Sequence, residues 1–436
     1  MGQITAREPG VSDRRVVVTG LGIVSPVGIG VEASWDALVA GRSGIDRITL
    51  FDPSPFEVDV AGEVKGFDAS AYMDAKDVRR HDRNTHFAVA ATGEALRHAG
   101  LVGDNGRVTP DVDADRFGMV FGTGIGGIGI LLEGQKTLDE RGPRRVSPFM
   151  LPHMLPDSAS GQVAIQYGIR GPNMAVVSAC ATGGHAIGEA METIVRGQAD
   201  IMLGAGTEAP LVPLAFAGFG QMRALGTPID PDTGEYNPAM ASRPFDMTRN
   251  GFVVSEGSAV LVLEELQHAL ARGARPIAEV IGYGSSADAF DMAAPAERGE
   301  GNQRAMRAAL TRAGIGPEGV DYINAHGTST PLNDRYETHA IRDVFGEHAD
   351  RLAVSSTKSM TGHAMGAAGA IEALVCAKVV STGCIPPTIN YRHPDPELTL
   401  DYVPNEARAT DARVALSNSM GLGGHNSTLI LRRFED

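Results

Sequence analysis

The chain is poor in cysteine, tryptophan and basic residues. Its 436 residues hold 3 cysteines and 1 tryptophan, and aromatic residues make up 5%. Three cysteines without C-x-x-C spacing give neither a disulfide framework nor a zinc site, and they point to a reducing, cytoplasmic setting. Lys and Arg number 38 against 53 Asp and Glu, for a net charge of −15. That balance argues against nucleic-acid or membrane partners. No stretch approaches the ~18 uninterrupted apolar residues of a membrane span. The N-terminus lacks the charged-then-apolar pattern of a secretion signal. Residues 1–13 read as a flexible leader before the first strand.

Glycine is the residue in excess, at 54 of 436. It follows no G-X-Y period and clusters in short motifs, as tight turns and close backbone approaches require. Short apolar runs predict strands at Arg15–Thr19, Phe117–Phe121, Met174–Ala179, Ile201–Gly204 and Ala259–Leu263. A second set follows at Ala278–Gly282, Val320–Asn324, Leu352–Ser355, Arg413–Ser417 and Thr428–Leu431. Helical patterns lie between them, over Gly184–Arg196 and Ala364–Val379 among others. This alternation is the signature of an α/β fold with buried sheets. The rhythm restarts near Gly273, which divides the chain into halves at 14–273 and 274–436.

Cys180 is the leading functional candidate. It stands in VSACATGG, where a strand runs into a small-residue turn and then a helix. The free N–H groups and dipole of that helix are expected to lower the thiol pKa. Cys376, inside an apolar helical pattern, reads as core. His326 in NAHGTST, and Lys358 with His363 in SSTKSMTGH, each follow a predicted strand, where α/β sites form. Glu372 on the next helix is close enough in sequence to pair with Lys358. Gly20-Leu-Gly22 and Gly122-x-Gly124-x-x-Gly127 read as strand-end turns rather than dinucleotide loops, for want of a following helix and acidic residue. Lys76, Arg79, Arg80 and Arg83 form a local basic cluster that can dock an acidic partner. Arg144 and Arg145 form another.

Taken together, VSACATGG, NAHGTST, SSTKSMTGH and the closing NSMGLGGHN resemble the β-ketoacyl-[acyl-carrier-protein] synthases, closest to the synthase II type of bacterial fatty-acid synthesis. The likeness runs from about Arg15 to Arg433. RRVVVTGLGIVSPVG, GTGIGG, GPRRVSPF, SRPFD, RNGFV and IPPTIN match as well.

The resemblance implies a thiolase-type fold, with two similar α/β halves in a five-layer α-β-α-β-α core, and a homodimer. It implies that Cys180 carries the acyl group as a thioester, and that His326 and His363 assist decarboxylation of malonyl-carrier protein. Lys358 and Glu372 organise the site, and the N–H groups of Cys180 and Leu422 form the oxyanion hole. Thr328 and Thr330 contact pantetheine, while Ile125, Phe219 and Leu422 line or gate the acyl pocket. Lys76, Arg79, Arg80 and Arg223 dock the acyl carrier protein. No cofactor is implied, although Asn324, Glu372, Ser417 and Asn418 match residues that hold a structural monovalent cation in some relatives.

Three departures stand out. Met420 and Leu422 replace the family's two phenylalanines, Asp291 and Ala293 replace a histidine and a hydroxyl residue, and the 226–240 loop is longer than usual. A polyketide-type ketosynthase and a non-catalytic partner subunit are the competing readings. The subunit reading would lack the nucleophile. A degradative thiolase would need a further cysteine, and none follows Cys384.

Overall fold

The computed structural model describes residues 14–103 and 105–435, so the leader at 1–13 lies outside the described residues. Ten strands carry the architecture. In the first half they are β1 (Val16–Ser25), β2 (Phe117–Gly122), β3 (Asn173–Val176), β4 (Ile201–Glu208) and β5 (Gly257–Glu265). In the second they are β6 (Ala278–Ala287), β7 (Tyr322–Asn324), β8 (Ala353–Ser355), β9 (Val414–Gly421) and β10 (His425–Arg433). The first five lie in the order β3-β2-β4-β5-β1, and the second five in the order β8-β7-β9-β10-β6. Pairing directions match as well. β1 and β6 run antiparallel to β5 and β10, which run antiparallel to β4 and β9, and the remaining pairs are parallel. The two sets meet along a seam of Val17 opposite Glu279 and Val18 opposite Ala278.

Seven helices build the layers: α1 (Arg83–His98), α2 (Ile128–Arg141), α3 (Ser158–Tyr167), α4 (Thr182–Val195), α5 (Glu300–Ala313), α6 (Pro331–Phe345) and α7 (Ala368–Thr382). α1 and α3 cover the outer face of the first set, and α5 with α6 that of the second. α4 and α7 pack against each other between the two sets. This is the five-layer, thiolase-like arrangement. A helix enclosed on all sides must be apolar all round, and α7 is buried along nearly its whole length. The segment Met365–Thr382 has the length and hydropathy of a membrane span, yet it is buried in this middle layer.

Two glycine expectations need correction. Gly20 and Gly22 lie inside β1, not in a turn after it. A Cβ at either would overlap a carbonyl oxygen of α1, Ala95 O or Ala91 O, so glycine here serves helix-on-sheet packing. Beyond Gly127 a helix does follow, α2. The loop still offers no phosphate cradle, because its N–H groups at Gly124 and Ile125 are taken by the buried Glu208 carboxylate.

Candidate active site

β3 ends at Val176, earlier than the apolar run predicts, because the chain turns sharply before Cys180. Ala179 adopts φ +50°, a left-handed conformation that costs a non-glycine residue about 1–2 kcal/mol. Ala179–Ala181 form a 3-10 turn that feeds α4. The second half repeats the device at the same place in its topology. There Met365 has φ +44°, and the 3-10 turn Met365–Ala367 feeds α7. The two elbows meet, with the Cys180 Sγ 4.0 Å from the Met365 Sδ. Backbone strain is thus concentrated at two facing turns, a pattern common at functional sites.

The Cys180 thiol does not have the lowered pKa that the helix start led us to expect. Burial pushes it up to about 12, against the Lys358 charge and the Leu422 N–H, which pull it down. With the side chain only 8% exposed, desolvation of a thiolate outweighs the helix dipole. Burial thus favours the thiol form of Cys180.

His326 and His363 share the cavity with Cys180. Their rings are 5.3 Å apart between centroids and nearly perpendicular. Glu337 accepts the backbone N–H groups of His326 and Gly327, both at 2.8 Å, and so fixes the loop after β7. His363 is held from another side. Its N–H donates to Val253 O, its carbonyl accepts from Ser255 N, and Phe252 packs edge-on against its ring. Lys358 is 2% exposed, not solvated. Its ammonium donates to His326 O at 2.6 Å, pairs with Glu372 and lies 3.4 Å from His326 Nδ1. An ammonium on that side makes Nδ1 the acceptor and leaves the imidazole proton on Nε2.

Burial, reinforced by the Lys358 charge, holds both imidazoles well below their ordinary pKa. Both rings are neutral at neutral pH. Titration of the two imidazoles is accordingly expected to be absent near the ordinary histidine value of about 6.5, and any change in decarboxylation rate between about pH 8 and about pH 6 to follow the Glu372 carboxyl, which burial pushes up to about 7. The unfolded chain takes up protons below the ordinary histidine value while these two imidazoles do not, so stability falls as pH drops beneath it. Imidazole NMR signals of His326 and His363 that titrate near about 6.5 would contradict the neutral assignment.

A cavity of about 490 Å³ opens over these groups. Cys180, His326, His363, Thr328, Thr330, Phe219, Arg223, Met365, Met420 and Leu422 are among its lining residues. The Thr328 and Thr330 hydroxyls lie 2.9 Å apart. Leu422 lines the cavity at 38% exposure, at the position where the resemblance implies an aromatic gate. Ala293 also lines the cavity, and Asp291 caps the turn beside it by accepting the N–H groups of Ala293 and Ala294. Ile125 is not among the lining residues. It is 38% exposed on the loop after β2.

Lys76 and Arg79 are exposed away from the cavity lining, and Arg80 sits 4.2 Å over the Phe149 ring. Arg83 turns inward to pair with Glu256. Of the four candidate cation ligands, Asn324 Oδ1 and Glu372 Oε2 are buried without a protein partner, as an oxygen-bound cation needs. Asn418 Oδ1 already accepts from Thr428. Glu337 and Glu208 escaped the sequence reading. Their one signal was an acidic residue at an otherwise apolar strand end (Glu208) and one on a helix close behind NAHGTST (Glu337).

Two family descriptions match this chain: the beta-ketoacyl synthase N-terminal domain over residues 13–269, and its C-terminal domain over 277–392. The chain belongs to the beta-ketoacyl synthase family. It is 49% identical to the 3-oxoacyl-[acyl-carrier-protein] synthase 2 of Staphylococcus aureus over 97% of this chain and 99% of that protein. The Synechocystis protein of the same name is 48% identical, over 97% and 99%. Among solved structures, the ishigamide ketosynthase/chain length factor superposes with a TM-score of 0.87 at 38% identity, over 97% of this chain and all of that one. A beta-ketoacyl synthase from Burkholderia phymatum gives 0.87 at 35% identity, with the same coverage. Beta-ketoacyl synthases are condensing acyltransferases, and this chain carries the full length of that architecture.

Proposed function

We propose that this chain is a 3-oxoacyl-[acyl-carrier-protein] synthase of the type II elongation system. It extends an acyl chain by two carbons, with Cys180 as nucleophile and His326 and His363 as donors. The observation that carries this reading is the convergence of the thiol and two neutral imidazoles on one cavity, with the buried Lys358–Glu372 pair behind His326. In the first step the Cys180 sulfur attacks an acyl thioester, and the thiol proton ends on the released pantetheine sulfur. In the second, the malonyl carboxylate leaves as CO₂ while the imidazole N–H groups stabilise the enolate oxygen. The carbanion attacks the acyl-Cys180 carbonyl, whose oxygen faces the N–H groups of Cys180 and Leu422. Cys180 departs as a thiolate and takes a proton from solvent.

The identity to the synthase 2 relatives, 49% against 34% for a ketosynthase solved with its type II PKS acyl-carrier protein, favours fatty-acid elongation over a polyketide role. The presence of Cys180 opposes a non-catalytic subunit. We assign two duplicated halves, 14–273 and 274–436, on the repeated strand order, and a monovalent cation to the unpartnered oxygens of Asn324 and Glu372, beside Ser417 and Asn418. A homodimer fits the exposed edge strand β3, with Met174 at 44% exposure and Val177, just beyond the strand, at 53%. The carrier protein, an acidic partner, docks on Lys76, Arg79, Arg80 and Arg223. Elongation of a saturated acyl-carrier-protein series tests the function: products two carbons longer support it, and elongation of none of them overturns it. In the same assay, Arg79→Glu with Arg80→Glu should raise the KM for carrier substrates about tenfold and leave a small thioester unaffected. Equal effects on both would remove the docking surface.

A further inference from the structure

Glu208 ends β4 and is fully buried. Its carboxylate accepts four hydrogen bonds: from the Thr123 hydroxyl at 2.8 Å, Gly124 N at 2.5 Å, Ile125 N at 3.2 Å and Gly366 N at 2.9 Å. Three of these donors belong to the loop after β2, in the first half of the chain. The fourth belongs to the Met365–Ala367 elbow, in the second half. A Cβ at Gly124 would stand 2.8 Å from Glu208 Oε2, and one at Gly366 would stand 2.6 Å from it. Both loops are therefore shaped to close on this carboxylate. Met365, one residue before Gly366, is the side chain that the Cys180 sulfur touches.

The other groups of the site are anchored elsewhere. His326 depends on Glu337, and His363 on Val253 and Ser255. Lys358 depends on Glu372. The nucleophile's wall thus has a support that the decarboxylating histidines do not share.

We infer that Glu208 is a positioning residue for the acyl-transfer half of the reaction: its carboxylate clamps the loop after β2 to the Met365 elbow and so holds the wall against which Cys180 takes its acyl group. The inference rests on Cys180 being the acyl carrier. Glu208→Gln is the direct variant, because the amide NH₂ faces N–H donors and leaves part of the clamp unpaired. Transfer onto Cys180 from an acyl-carrier protein should lose about 100-fold in kcat, the cost of a misplacement near 1 Å. KM for the carrier and the malonyl decarboxylation rate should each stay within about threefold. Thr123→Val removes one of the four bonds and should show the same split at smaller size, which keeps the test open if the glutamine variant does not fold. Acylation within about threefold of the parent, or acylation and decarboxylation falling together, overturns the inference. Failure of the parent enzyme itself to become acylated would instead count against the proposed function.

Discussion

Cys180→Ala abolishes self-acylation and lowers condensation by at least about 10⁵-fold, the scale on which removal of a nucleophile acts. No second thiol can replace it. Cys376 is buried in α7 with its sulfur against Leu416 O, and Cys384 is not among the cavity-lining residues. Cys180→Gln separates the half-reactions. Its amide oxygen can occupy the oxyanion position in place of an acyl thioester, so malonyl decarboxylation continues while condensation stops. Robust condensation by the alanine variant, measured as release of 3-oxoacyl product, would remove Cys180 from the mechanism.

Lys358→Met carries the second-largest effect, on stability and activity together. Lys358 and Glu372 are each 2% exposed, and burial already pushes the Glu372 carboxyl up to about 7 against the stabilising Lys358 charge. Removing the ammonium leaves a buried carboxylate without its partner, at a cost of about 3–5 kcal/mol. That is a large share of the ~5–15 kcal/mol by which native proteins are stable. The same change strips His326 of the donors at its carbonyl and Nδ1, and decarboxylation should fall about 10²–10³-fold. Lys358→Met with Glu372→Leu replaces the pair by apolar side chains and should recover most of the denaturation midpoint without recovering decarboxylation. A double variant that regains both would show the pair to be structural alone.

The contrast between these two residues shows what could be read from the sequence. Cys180, His326, Lys358 and His363 were legible because each follows a strand within a short run of small and polar residues, and such local patterns survive in one dimension. The α/β alternation and the repeated halves were legible for the same reason. Three features were not. Gly20 and Gly22 looked like a turn because their real partner, the α1 backbone, lies about seventy residues away. The thiol pKa was misjudged because a helix start is visible in sequence, whereas the depth of burial that outweighs it is not. Glu337 and Glu208 were missed because their importance lies in the backbone N–H groups they collect from distant loops. Loop-to-loop carboxylate clamps leave no spacing to read.

Leu422 stands where the family resemblance implies a phenylalanine. Its side chain sits at the cavity mouth without the aromatic ring that the family resemblance implies, while its N–H still addresses the Cys180 sulfur. In the proposed mechanism the oxyanion is met by backbone N–H groups, which the side-chain exchange leaves in place.

The most direct test is intact-protein and peptide mass spectrometry of the full chain after exposure to a series of saturated acyl-carrier proteins. The chain should gain the mass of one acyl group, located on Cys180. Adding malonyl-carrier protein should discharge it as a 3-oxoacyl product two carbons longer. Condensation proceeding with Cys180 never acylated, or an acyl group carried on any other residue, would contradict the account.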